Sequence, residues 1–125
     1  MERLSRSYDL TNIQDYKDYL YSEIDKKTEE TIFSGFTFDG GLFSMSLSAQ
    51  INWSNLFFIP DAMWPITVSH KDDTGTYQLT LANRANFYGS ALLHKNNALQ
   101  NGTTLKNTVK DAITIGELIT IHQSL

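Results

Sequence analysis

The sequence predicts an α+β protein: a leading helix, two β-hairpins each followed by a helix, and further C-terminal helices, in a single small domain. Three observations predict it. Ile13, Tyr16, Leu20 and Ile24 recur at three- and four-residue spacing, which makes one apolar stripe along a helix. Phe36 and Phe38 alternate with Thr37 and run into Asp39-Gly40-Gly41, the period and turn chemistry of a hairpin. The chain has 125 residues, the size of one domain, and 41% of them are hydrophobic, enough to build a core.

The elements follow in order. Residues 1–10 show no periodicity and read as an N-terminal arm, free to order on a partner, with residues 11–125 as the domain. Thr11-Asn12-Ile13-Gln14 fits a capping box, Thr as N-cap and Gln at N3, so the first helix is expected to run to about Thr28. Thr31 to Phe38 reads as a strand. Asp39-Gly40-Gly41 supplies the positive φ of a two-residue primed turn, and Leu42 to Met45 returns. Ser46 or Ser48 then caps a second helix. Leu47, Ile51 and Leu56 fall on one of its faces, with Ala49, Trp53 and Phe57 beside them, and Pro60 ends it.

Ile66 to His70 and Thr76 to Leu79 read as a second hairpin around the turn Lys71 to Gly75. Thr80 can cap a long helix from Leu81 to Leu99, with Ala85, Tyr88, Leu92 and Leu99 inward and Phe87 and Ala91 in the next row. Asn101-Gly102 reads as its C-terminal stop, because glycine takes the left-handed conformation without penalty. Thr103 or Thr104 opens a further helix through Leu105, Val109 and Ala112. Thr114-Ile115-Gly116-Glu117 is a second capping box, and Leu118, Ile119 and Ile121 of the last helix can close the core.

Charge narrows the function classes. Between Tyr8 and Glu30 lie seven acids and three lysines, which nets the whole formal charge of −4. The rest of the chain is balanced. Nucleic-acid binding needs Lys and Arg to displace phosphate counterions, so it is not expected. The acidic helix reads first as a solvated face; a basic partner surface is the alternative. There is no cysteine, hence no disulfide and no thiolate chemistry. No apolar run reaches the ~18 residues of a membrane span, and the start lacks the apolar core of a signal peptide. No membrane association is expected.

No constellation of catalytic residues stands out. His70, His94 and His122 are never three or four residues apart, so no helical metal pair exists. His70 lies beside Asp72 and Asp73, but a charged turn is the ordinary reading. Asp72-Asp73-Thr74-Gly75 lacks the alternating oxygens and terminal Glu of a calcium loop. The glycines of Gly35 to Gly41 belong to a hairpin and do not precede a helix, so they make no phosphate loop. The expectation is a protein with no enzymatic activity, no cofactor and no metal. Trp53 reads as core. Trp64, just before Pro65, is core or an interface anchor, since Trp is enriched at interfaces.

The run GFTFDGGLFSMSLSAQINWSNL, followed by MWPITVSHKDDTGTYQLT and ALQNGTTLKNTVKDAITIGELI, resembles a small domain of unknown function found in tailed-bacteriophage tail, tail-fibre and tail-assembly proteins. The shared pattern is carried by Gly35, Phe36, Phe38, Asp39 and Gly40; by Ser46, Ala49, Gln50 and Asn52; by Trp64 and Pro65; and by Gly102, Leu105 and Lys106. It spans about residues 20–122 and carries no catalytic residue over. The resemblance implies a structural subunit of a virion (tail, baseplate, neck or fibre-associated) made in the host cytoplasm. Its partners would be other virion proteins and, by the symmetry of such particles, further copies of itself. The arm residues Arg3, Leu4 and Tyr8, with Trp64, are then the candidate interface. The alternative is an assembly chaperone or small binding regulator absent from the mature particle.

Overall fold

A computed structural model describes residues 7–125. It contains four helices and two antiparallel hairpins: α1 (Ile13–Phe33), β1 (Phe36–Phe38), β2 (Gly41–Phe43), α2 (Leu47–Ser54), β3 (Ile66–Ser69), β4 (Thr76–Leu79), α3 (Arg84–Asp111) and α4 (Ile115–Ser124). Two short 3₁₀ turns, Leu56–Phe58 and Asp61–Met63, join α2 to β3. The α+β class is the one the patterning predicts. Two compact units emerge, each with its own core. A terminal unit takes the chain through Thr28 and from Gln100 onward, and a central unit takes Glu29–Leu99.

In the terminal unit the sequence-predicted stripe is the core. Tyr16, Leu20 and Ile24 of α1 are buried with Val109, Ala112 and Leu118. The cap differs by one residue from expectation. Asn12, not Thr11, accepts from the Asp15 N–H at 3.0 Å, while Thr11 turns both its N–H and its hydroxyl to the Asp9 carboxylate. The second capping box forms as read: Thr114 Oγ1 accepts from the Glu117 N–H at 3.2 Å. Leu118 is buried and Ile121 partly so, whereas Ile119 faces out.

Asn101-Gly102 does not stop a helix; α3 runs through it to Asp111. Gly102 is buried, and a Cβ there would lie 2.6 Å from the Thr28 hydroxyl. Glycine is present for close approach of α1 and α3, not for a left-handed cap. The same motif in sequence serves either purpose, and only packing decides between them.

The central unit is organised around Phe87 of α3. Its ring meets Trp53, Phe43, Phe36 and Phe38 edge-on, with centroids 4.9, 5.0, 5.1 and 5.3 Å away. Edge-to-face geometry aligns ring edges with ring faces and adds to area burial. The first hairpin turns where expected: Phe38 pairs with Gly41, and Asp39 and Gly40 have φ of 48° and 78°, a type I′ turn. The second pairs Ile66 with Leu79 and Ser69 with Thr76. The Lys71 N–H donates to Leu42 O at 2.8 Å and ties one hairpin to the other.

Thr31 to Phe33, expected to begin a strand, instead end α1. The helix extends because its last carbonyls find tertiary donors. His94 Nε2 lies 2.9 and 3.1 Å from the Thr31 and Ile32 carbonyls. Lys71 Nζ donates to the Phe33 and Ser34 carbonyls at 3.2 and 2.9 Å. Gly35, at φ 98°, then turns the chain into β1.

Candidate functional site

Of the two apolar rows on the second helix, the buried one is Ala49 and Trp53, continued after the helix by Leu56, which periodicity places with Leu47 and Ile51. Ser46 is the cap, accepting from the Ala49 N–H at 3.1 Å. Trp53 is drawn in by two contacts. Its ring packs on Phe87, and its Nε1–H donates to the Ser44 carbonyl at 2.8 Å. Leu47 and Ile51 are left 68% and 61% exposed. α3 shows a shift of one row: Phe87, Ala91 and Ala98 are buried, while Leu92 and Leu99 are 42% and 45% exposed.

Ile51 and Leu92, one from each exposed row, line a groove of about 250 Å³. Its walls are apolar, from Met45, Ile51, Trp53, Tyr88 and Leu92, and Lys95 stands at its edge. Gln50 organises that edge. Its Nε2–H donates to the Met45 carbonyl at 2.9 Å, and its Oε1 accepts from Lys95 Nζ at 2.8 Å. Gln50 thus bonds backbone just after the first hairpin, whereas Asn52 is exposed.

Beyond Tyr88 the surface continues as an aromatic and cationic stack. Phe57 meets the Tyr88 ring edge-on at 5.8 Å. The Arg84 guanidinium lies 5.0 Å from the Phe57 ring centre and 5.6 Å from that of Trp64, within cation–π range. Trp64 is half-buried against the central core, is joined to Pro65 by a cis peptide bond, and sends its indole N–H toward Ile59 O at 3.4 Å. Of the other candidate interface residues, Arg3 and Leu4 lie outside the described residues. Tyr8 is half-buried, its ring edge-on to Tyr19 at 5.3 Å.

The histidines are spread over separate contacts. His70 packs edge-on to Phe43 at 5.2 Å and lies over Gly41, where a Cβ would come within 2.6 Å of its Nε2. His94 caps α1. His122 Nδ1 is 2.8 Å from the Tyr16 hydroxyl, and burial followed by the neighbouring Tyr19 holds that phenol above its ordinary pKa. Thr74 donates both hydroxyl and N–H to Asp72, which holds that carboxyl below the usual range. Tyr77 donates to Asp39 at 2.9 Å and accepts from Asn83; the bond to Asp39, ahead of its charge, pushes the Tyr77 phenol up. Among the described residues, no three His, Asp or Glu side chains converge as a metal site, and no helix is long and apolar enough to cross a membrane.

Sequence reasoning missed the groove because it placed Tyr88 and Leu92 of α3 inward and did not state which apolar row of α2 faces out. One signal was available. Arg84, Tyr88, Leu92 and Lys95 recur at four, four and three residues, an amphipathic stripe with a cation at each end. No family model, curated protein or solved structure matches this chain.

Proposed function

We propose that the protein acts by contact, as a structural subunit of a tailed-phage virion, and that the α2–α3 groove is its principal contact surface. The exposed apolar pair Leu47 and Ile51, one turn apart, with Ile51 lining the groove, is the observation that supports contact most directly. Contiguous exposed apolar surface rimmed by polar residues marks interaction sites. The virion setting is supported by the resemblance over residues 20–122. Copies of the chain would meet through other surfaces, in the ring or trimer symmetry usual for such particles.

The test is direct. Particles purified from the native source and analysed by mass spectrometry should contain this chain in stoichiometric amount. Its absence from mature particles, with presence in assembly intermediates, would reject the subunit and favour the chaperone. An Ile51→Asp variant, exposed and so expected to fold, should be lost from particles. Normal incorporation of that variant would remove the groove from the assembly contacts.

A further inference from the structure

We propose that the α2–α3 groove receives an amphipathic helix of a different protein, one that carries carboxylates about three helical turns apart. This rests on the contact reading above and specifies the partner's chemistry. Arg84 and Lys95 are eleven residues apart on one face of α3, which places them about 16 Å apart along the axis at a rise of ~1.5 Å per residue. Between them lie Tyr88 and Leu92, with the apolar walls of the groove alongside. The complementary pattern is acid, apolar, apolar, acid along one helix face, the helix-in-groove mode of recognition.

Both cations are held by neutral partners. Lys95 is bonded to the Gln50 amide oxygen, and Arg84 rests on the Phe57 and Trp64 rings. Among the described residues, neither Arg84 nor Lys95 is paired with a carboxylate, unlike Lys106, which pairs with Asp25. Fixed cations beside an apolar surface attract an acid and orient it, which supplies specificity and association rate. The volume of about 250 Å³ is below that of a typical small-molecule pocket and suits one or two side chains of a partner. A second copy is disfavoured at this face. Two-fold packing of α3 on α3 would set Arg84 opposite the partner copy's cationic end at Lys95, and like charges so placed repel.

The probe is a synthetic eighteen-residue amphipathic helix with leucines on one face and Glu at two positions eleven apart; its control carries Lys at those positions. Backbone amide shifts of the full chain are followed by NMR during titration. The Glu peptide should give saturable shifts confined to α2 and residues 84–95, weakening with salt. Lys95→Gln retains an amide donor at that position yet removes the charge, and should weaken binding about tenfold, equal to ~1.4 kcal/mol. Arg84→Gln should do the same. No saturable shift, equal binding of the Lys peptide, or indifference to Lys95→Gln overturns the proposal. So does self-association through the same residues, seen by sedimentation and lost in Ile51→Asp, or their response to phosphatidylglycerol vesicles in place of the peptide. Failure of the peptide with the chain present in particles rejects the partner chemistry and leaves the contact function standing.

Discussion

Gly102→Ala in α3 tests whether α1 and α3 approach as closely in the terminal unit as the geometry has it. Two opposing effects can be worked out. Alanine is favoured over glycine in a helix interior by about 1 kcal/mol. The added Cβ, however, would sit 2.6 Å from Thr28 Oγ1. That hydroxyl is not free to leave at no cost, because it donates to Ile24 O at 2.8 Å. Overpacking of this kind costs about 1–3 kcal/mol, so Gly102→Ala should destabilise by about 1 kcal/mol net. The sign reverses if Thr28 is trimmed. The Thr28 Cβ lies 3.6 Å from the new methyl, an ordinary contact. In a Thr28→Ala background the same substitution should therefore stabilise by about 1 kcal/mol. The assay is urea unfolding of the four proteins of the cycle, with m-values compared to confirm a common reference state. The expected coupling is about 2 kcal/mol. If Gly102→Ala stabilises the parent protein, and by the same amount with either residue at position 28, the close approach is wrong.

Other perturbations have equally definite outcomes. Phe87→Ala empties the centre of a ring cluster that touches four aromatic side chains, and chemical unfolding should report a loss of about 3–5 kcal/mol. Gln50→Ala leaves the Met45 carbonyl without its side-chain donor and should cost about 1 kcal/mol by the same assay. His94→Ala removes the donor to the last carbonyls of α1, so amide exchange of Ser34 and Gly35, which close that helix end, should accelerate. Asp72 titrates below the usual carboxylate range because Thr74 bonds its ionised form. Its contribution is complete above the unfolded value of about 3.9 and is lost as pH falls through the folded value. Carboxyl NMR should show that pKa rising toward the ordinary value in Thr74→Val.

The sequence by itself determined what short-range chemistry determines. The stripe Tyr16, Leu20 and Ile24, the primed turn at Asp39-Gly40, a serine cap at Ser46 or Ser48 and the box at Thr114 to Glu117 were all legible. In each case residues within four positions of one another supply both the conformational preference and the hydrogen bond that satisfies it. Tertiary structure decided where that information is degenerate. A helix with two apolar rows does not state which row goes inside. Trp53 and Phe87 chose for α2 and α3, because two large rings packed edge-on bury more than Leu47 and Ile51 could. A glycine in a helical pattern does not state whether it ends the helix or admits a neighbour, and Thr28 answers that for Gly102. The end of α1 was decided by His94 and Lys71, residues at least 37 positions away. The groove is a product of the same choices: Trp53 and Phe87 turn their own rows inward and leave Ile51 of α2 and Leu92 of α3, the latter placed inward by periodicity, at the surface.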